Sequence, residues 1–210
     1  MNKELYLGFK NANFWADFSF VDFPEGYLES MAASANDALV AMRELEGGAL
    51  ANPDENRMVG HYWLRAPEIA PSEEIRNVIQ NTLAKTKSLA NRVHESDLRA
   101  PAGAFTDLLI IGIGGSALGP QFVGRALGHP KTNKLAVHFF DNTDPDGMDL
   151  TLAEIGERLA TTLAIVISKS GGTPETRNGM LEAENAFAKN GLDFAKQAIA
   201  ITGEGSKLHQ

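Results

Sequence analysis

The chain has 210 residues, 43% of them hydrophobic and 22% charged, and is therefore long enough to bury the core of one or two domains. It contains no cysteine, which excludes disulfides and cysteine-bound zinc or iron and fits a reducing compartment. Its formal net charge of -8 opposes binding to nucleic acids, whose phosphates are held by clustered Lys and Arg. A small anionic ligand remains compatible, because a local cluster of donors reverses the potential around it.

Targeting and metal-binding signals are not found in the sequence. The first residues lack the apolar segment of a signal peptide, and the longest apolar run, near 108–115, is too short to span a membrane. The five histidines show no HExxH-type spacing. We therefore expect a cytoplasmic protein with no metal site and with neither a nucleic-acid nor a membrane partner.

Residues 1–100 are predicted to form a helical N-terminal segment that packs on a larger core. Apolar side chains recur at the helical period from Glu25 to Glu46, where a glycine pair ends the pattern. The same period returns from Ser72 to Glu95, with two glutamates in the first turn. The segment 101–103, Pro-Ala-Gly, then separates these helices from a different pattern.

Residues 101–210 alternate short apolar runs with helical stretches. The runs are DLLIIGIG, LAVHFFD, TLAIVIS and AIAIT, and the helices between them are predicted at 121–127, 145–159 and 174–189. This order predicts an α/β fold, a doubly wound three-layer αβα sandwich with a mainly parallel sheet. Ligands of such sheets bind at the carboxyl ends of the strands, so we expect the site in the loops after the first and third runs.

The first of these loops is Gly112–Pro120. Its glycines leave backbone amides uncovered where a strand turns into a helix, so an anion can approach them, and Ser116 adds a hydroxyl. Two other interpretations stay open for this loop alone. It is either a tight turn that Ser116 merely caps, or a dinucleotide-binding G-x-G-x-x-A turn with Asp141 placed to bind a ribose.

The second loop, Ser168–Thr176, reads SKSGGTPET and concentrates hydroxyls, an ammonium and two glycines at a strand end. Pro174 stands where the next helix begins. Taken singly, Thr173 is typical of a helix cap and Lys169 of a solvated surface residue. Together these donors favour a phosphate dianion, which a dinucleotide-binding turn would not require, and so this loop favours phosphate over NAD.

Three ordered motifs resemble one known family. IGIGGSALGP and SKSGGTPET are similar to the two signature loops of the glucose-6-phosphate isomerase family, and ENRMVGHYWLR, at Glu55–Arg65, is similar to an upstream segment of the same family. The resemblance implies that 101–210 is a phosphosugar-binding sugar-isomerase (SIS) domain. We interpret Arg57, His61 and Arg65 as structural, in a buried ion pair or a helix-packing set, and Tyr62 and Trp63 as packing residues.

The resemblance also implies ligand contacts. The residues implied to touch the sugar are Gly115 and Ser116, and those implied to hold its 6-phosphate are Ser168, Lys169, Ser170 and Thr173. Ser170 stands where many members have Thr, a change that keeps the hydroxyl. The implied reaction interconverts glucose 6-phosphate and fructose 6-phosphate in glycolysis and gluconeogenesis, through an enediol, with a glutamate base and without a cofactor.

No catalytic residue is assigned to this chain. The family's GGR segment, its base-bearing glutamate segment and its C-terminal lysine have no counterpart before Gln210, and SKLHQ resembles a helix cap and first turn. We therefore expect an inactive fragment of an enzyme that is a homodimer at full length, with a sugar phosphate as its small-molecule partner. The alternatives are a non-catalytic sugar-phosphate sensor and an NAD-dependent oxidoreductase.

Overall fold

The computed structural model of the chain describes residues 5–210. The chain forms two compact units, one extending to Leu83 and the other spanning Ala84–Gln210. The boundary falls inside a long helix, which spans Glu73–His94 and is called α2 below. The sequence pattern predicted a boundary at residue 100, after this helix.

The first unit combines two antiparallel strand pairs with helices. The elements in chain order are β1 (Tyr6–Phe9), β2 (Phe14–Asp17), α1 (Tyr27–Glu46), β3 (Leu50–Asn52), β4 (Arg57–Met58) and the start of α2. Both helices lie where the apolar period predicted them. The strand pairs β1–β2 and β3–β4 were not predicted, because their side chains do not alternate between a buried and an exposed face.

The core of the first unit is built around Trp63. This side chain is 4% exposed and packs with Ala70 and Ile79, and its indole N–H donates to the carbonyl of Glu46 at 2.9 Å. A Cβ at Gly60 would come within 2.6 Å of the Trp63 ring. The packing role predicted for Trp63 is therefore confirmed, and its donor is satisfied as a buried indole requires.

The charged residues of the same segment are not buried. Arg57 Nε lies 2.9 Å from Glu55 Oε2, but the two side chains are 60% and 47% exposed. His61 and Arg65 are also exposed, and the His61 ring is tilted by 37° to that of Tyr62, with 4.0 Å between ring centres. Of the two interpretations given for these residues, the buried ion pair is wrong because both side chains of the pair are exposed. Solvent screening leaves such a pair little energetic weight.

The second unit carries a four-stranded parallel sheet. Its strands are β5 (Asp107–Ile111), β6 (Ala136–Phe140), β7 (Thr162–Ser168) and β8 (Ala198–Thr202), and its helices after α2 are α3 (Gly115–Leu127), α4 (Pro145–Ile155) and α5 (Pro174–Lys189). The strand order is β6-β5-β7-β8, with every pairing parallel. Among the helices of residues 5–210, none has the length and apolar character needed to cross a membrane.

Most boundaries match the sequence prediction, and two helices differ. Helix α3 begins at Gly115 and includes Pro120, whereas the prediction started after this proline because an interior proline removes a helical N–H. Helix α4 ends at Ile155 rather than at residue 159, because Gly156 adopts φ +56° and a short 3-10 helix, Gly156–Thr161, follows.

Apolar clusters cover both faces of the sheet. Leu109 and Ile111 of β5 pack on one face with Met148 of α4 and Ala183 of α5. Leu108, the residue before Leu109, packs on the opposite face in a cluster around Val93, Phe105 and Leu163, where Val93 belongs to the last turns of α2. Because neighbouring residues of a strand point to opposite faces, this alternation produces the three layers of an αβα sandwich.

A buried charge cluster occupies the amino end of the sheet. Asp107, the first residue of β5, accepts hydrogen bonds from Thr106 Oγ1 at 2.7 Å and Arg158 Nε at 3.1 Å, and His138 Nε2 lies 2.8 Å from its other oxygen. Burial acts to raise the pKa of Asp107, but the hydrogen bonds from Thr106, His138 and Arg158 outweigh it and hold this pKa below its ordinary value. The cluster ties β5, β6 and the segment after α4 together.

Candidate functional site

The two loops singled out from the sequence follow neighbouring strands. The chain leaves β5 toward β6 on one side and returns to β7 on the other, so the strand order reverses between β5 and β7. In open α/β sheets a ligand crevice forms outside the carboxyl ends of the strands at such a switch point. Ile111 pairs with Val166, and extending this register places Ser168 beside Ile113 on strands about 4.8 Å apart.

Gly112 joins the loop after β5 to the strands on both sides. Its N–H donates to the carbonyl of Phe140 in β6 at 3.0 Å. A Cβ at this position would lie 3.2 Å from the carbonyl oxygen of Ile167 in β7 and 3.0 Å from Cβ of Ser116. Glycine therefore lets the loop sit directly against the end of β7, without an intervening side chain.

Helix α3 begins without a side-chain cap. Its N-cap is Gly114, whose φ of +56° suits glycine, and no side chain bonds the amides of the first turn. Gly115 and Ser116 are the first two helical residues, so the interpretation of Ser116 as a mere cap is wrong. The N–H groups of Ser116 and Ala117 donate to the backbone carbonyls of Ile113 and Gly114 at 3.1 and 3.0 Å. What α3 presents at the carboxyl end of the sheet is therefore the positive end of its dipole rather than a set of free amides.

Helix α5 also lacks a side-chain cap, even though Thr173 occupies its N-cap position. The Thr173 hydroxyl lies instead 2.9 Å from the hydroxyl of Ser168, at the end of β7. Ser168 is 4% exposed, so this pair lies partly below the surface of the loop. The two hydroxyls converge at the start of α5, in the position where they can share an anion with the amides of its first turn.

Helix α4 provides the contrast within the same sheet. Its N-cap Asp144 accepts from the N–H groups of Asp146 at 3.3 Å and Gly147 at 3.2 Å. A carboxylate thus already occupies the positive end of α4. The uncapped starts of α3 and α5 are the ones that flank the switch point.

The remaining donors of the second loop shape its backbone. Ser170 Oγ accepts the N–H of Gly172 at 3.2 Å, and the carbonyl of Lys169 accepts the N–H of Gly203 at 3.0 Å. Both side chains are exposed. Gly171 adopts φ +66°, which glycine permits without strain.

A cleft of about 230 Å³ opens beside this loop. Of the six residues predicted to bind the ligand, Ser168 and Thr173 line it. Gly115 and Ser116 lie at the start of α3, which follows the adjacent strand, and Lys169 and Ser170 are exposed residues of the loop that do not line the cleft. The structure thus brings the hydroxyl pair into a cavity and leaves the other four residues around it.

Sequence reasoning missed two cations of this cleft, Arg177 and Lys207. Arg177 lies one helical turn after Thr173, so the i, i+4 spacing of α5 was a usable signal for it. Lys207 follows β8 in a turn, where no periodicity indicates which way a side chain faces.

The carboxylate proposed for a ribose, Asp141, is already bonded to the protein. Its Oδ2 accepts from Gln121 Nε2 at 2.5 Å and its Oδ1 from Asn142 Nδ2 at 2.8 Å. A ribose would have to replace these donors. This arrangement does not favour the dinucleotide interpretation.

Comparison with known proteins agrees with the geometry. Residues 17–210 match the family described as phosphoglucose isomerase. The chain belongs to the phosphoglucose isomerase family. The family resemblance inferred from the sequence motifs is therefore confirmed.

Individual relatives within the phosphoglucose isomerase family are similar over nearly the whole chain. The chain is 59% identical over 196 residues to a glucose-6-phosphate isomerase of Synechococcus elongatus, covering 93% of the chain and 37% of that protein. A glucose-6-phosphate isomerase of Geobacter sp. is 61% identical over 193 residues, with coverage of 91% and 36%. The chain thus spans little more than a third of the length of these relatives.

A solved structure supports the fold. The crystal structure of a glucose-6-phosphate isomerase from Chlamydia trachomatis superposes with a TM-score of 0.80 at 26% identity, covering 99% of this chain and 40% of that one. The predicted α/β class with a mainly parallel sheet is confirmed.

Proposed function

We propose that the second unit binds the phosphate group of a sugar phosphate as the N-terminal part of a glucose-6-phosphate isomerase. The observation that carries the proposal is the Ser168–Thr173 hydroxyl pair, held 2.9 Å apart at the uncapped start of α5 and beside the uncapped start of α3. Hydroxyls, the first-turn amides of α5 and the positive ends of the two helices all favour a bound phosphate dianion.

The bound sugar extends from this phosphate toward the loop after β5. Ser168, Lys169, Ser170 and Thr173 are assigned to the phosphate, and Gly115 and Ser116 to the sugar. Ser116 has no side-chain hydrogen bond within residues 5–210, so its hydroxyl is available to a ligand. Each charge-assisted hydrogen bond contributes about 1.5 to 3 kcal/mol, enough for several together to hold a small metabolite.

Phosphate binding supplies positioning rather than chemistry. The isomerisation requires a general base near the sugar carbons, and within residues 5–210 neither Asp nor Glu lines the cleft. Binding energy from the remote phosphate aligns the substrate for a base that other parts of the enzyme provide. We accordingly propose that the 210-residue chain binds without turnover, and that the full-length enzyme is a cytoplasmic homodimer.

Isothermal titration calorimetry tests the binding proposal. We expect heat from fructose 6-phosphate, glucose 6-phosphate and inorganic phosphate, and none from fructose. Thr173→Val removes one hydroxyl at nearly constant volume and should weaken fructose 6-phosphate binding about tenfold. Thr132→Val removes an exposed hydroxyl from the loop before β6 and should leave the affinity unchanged. Equal affinities for both variants would contradict the proposal, as would binding of NADH in place of the sugar phosphate.

A coupled enzymatic assay tests the absence of turnover. Fructose 6-phosphate supplied to the purified chain should give glucose 6-phosphate no faster than a buffer blank. A rate that scales with the concentration of the chain, and that Thr173→Val lowers, would show that the chain carries a base of its own.

A further inference from the structure

The cleft carries positive charge in a negatively charged protein. Its lining includes Arg177 and Lys207 and no acidic residue, although the chain as a whole has a net charge of -8. Neither cation is in an ion pair with any other residue of the described range 5–210. Uncompensated charge at a concave surface concentrates the local field and favours an anionic ligand.

The turn that carries Lys207 is hydrogen-bonded to the second loop, Ser168–Thr176, called the phosphate loop below. Thr202 Oγ1, at the end of β8, donates to the carbonyl of Ser168 at 2.7 Å and lies 2.6 Å from Ser206 Oγ. Ser206 Oγ also accepts the N–H of His209 at 3.2 Å, in the geometry of a helix cap. This hydrogen-bonded chain fixes the backbone on both sides of Lys207.

The same turn packs against the loop without space for a side chain between them. A Cβ at Gly171 would lie 2.5 Å from the amide nitrogen of Leu208 and 2.9 Å from that of Lys207. A Cβ at Gly172 would be in ordinary contact, 3.7 Å from Lys207 Cδ. The Lys207 stem therefore lies beside Gly172, and the residue lines the cleft.

We infer that Lys207 is a further phosphate-binding residue of this site, reaching the anion from the turn after β8. The inference rests on the proposed function and deepens it. Ser168, Thr173 and the first-turn amides of α5 bind the phosphate from one side, and the Lys207 ammonium neutralises oxygens that remain exposed. A mobile ammonium on an anchored turn can follow the ligand without rearrangement of the backbone.

The test compares Lys207→Met with a matched variant, Lys131→Met, in the same 210-residue chain. Both remove one exposed lysine charge, and Lys131 lies in the loop after α3, outside the cleft. Titration with inorganic phosphate and with fructose 6-phosphate should show about tenfold weaker binding for Lys207→Met and no change for Lys131→Met. Lys207→Arg keeps the charge and should retain most of the affinity.

Salt dependence adds a readout that a purely structural role would not change. The affinity of the parent chain for inorganic phosphate should fall as NaCl rises, and the Lys207→Met variant should show a shallower fall because one screened attraction is absent. Circular dichroism and thermal unfolding of each variant check the fold.

The outcomes separate the two proposals. Parent-like phosphate affinity in Lys207→Met overturns the role of Lys207 and leaves the proposed function standing. Weaker binding by Lys131→Met to the same degree also overturns it, since net charge alone would then explain the loss. Absence of phosphate and sugar-phosphate binding by the parent chain overturns the proposed function and, with it, this inference.

Discussion

At the scale of single residues, the site depends on the Thr173 hydroxyl, which does not cap its helix. Thr173 occupies an N-cap position, yet its hydroxyl lies beside Ser168 instead of bonding the helix amides. A local sequence rule assigns such a threonine to capping. The sequence identified Thr173 and Ser168 because a strand end and a helix start bracket them, but the direction of the hydroxyls required the folded loop.

Gly171 gives a prediction at this scale. Gly171→Ala forces φ +66° on a residue with a Cβ and places that Cβ 2.5 Å from the Leu208 nitrogen, so unfolding should become easier by about 3 kcal/mol. Gly205→Ala is the matched control, because Gly205 has φ +72° and open space, and it should cost only about 1 kcal/mol. Urea denaturation measures both. Equal losses would mean that contact with Leu208 is unimportant.

At the scale of elements, most of the second unit follows from sequence patterning. Strand β7 and helix α5 begin and end where the apolar runs predicted, since buried parallel strands read as continuous apolar segments. The start of α3 was predicted after Pro120 instead of at Gly115, because an interior proline is unusual in a helix and a glycine N-cap leaves no polar signature. Strands β1 and β2 were missed because both of their faces are largely exposed.

The same limit applies to the candidate site. The two loops were recognised because each follows a predicted strand directly. Lys207 was not recognised, because it lies in a turn after β8, and this turn is held to the loop in part by the hydrogen bond from Thr202 to Ser168, two residues that are 34 positions apart. Contacts between residues so far apart in sequence depend on the order of strands in the sheet, which no local sequence pattern indicates.

The capping contrast between α4 and α5 gives a prediction at the scale of elements. Asp144→Ala removes two hydrogen bonds to the first turn of α4 and should lower the unfolding free energy by about 1 kcal/mol without affecting phosphate affinity. Thr173→Ala removes no capping bond, so it should lower stability less and phosphate affinity more. Chemical denaturation measures the unfolding free energy of both variants, and calorimetry measures their phosphate affinity. A larger stability loss for Thr173→Ala would show that its hydroxyl serves the helix after all.

At the scale of the whole molecule, the residues that stabilise the sheet of the second unit and those that line the cleft lie at opposite ends of its strands. The buried Asp107 cluster lies at the amino ends of the strands, and the cleft lies beyond their carboxyl ends. Breaking a buried charge cluster is costly because the partners lose their compensation. We therefore expect changes at Asp107 to alter unfolding and to leave phosphate affinity intact.

The acid dependence of stability tests this separation. Because the folded-state pKa of Asp107 is lowered, its stabilisation is complete above the unfolded pKa of about 3.9 and is lost as the pH falls through the folded value. Asp107→Asn should cost about 2 kcal/mol at pH 7, limited by the half-exposed Arg158, and clearly less at pH 3. The exposed Asp149→Asn serves as the control. A cost that is independent of pH in denaturant titrations would contradict the charge-based account.

The bond from Thr202 to the Ser168 carbonyl also bears on synthesis at the ribosome. Strand β7 and the start of α5 emerge well before β8, yet the backbone of the phosphate loop receives this bond only when Thr202 has docked. Domains fold as their segments leave the exit tunnel, and pairings distant in sequence form late. A nascent chain that has emerged only as far as Lys189 would thus contain the Ser168 and Thr173 hydroxyls but lack the hydrogen bond from Thr202. We expect such a chain to bind phosphate more weakly than the complete second unit.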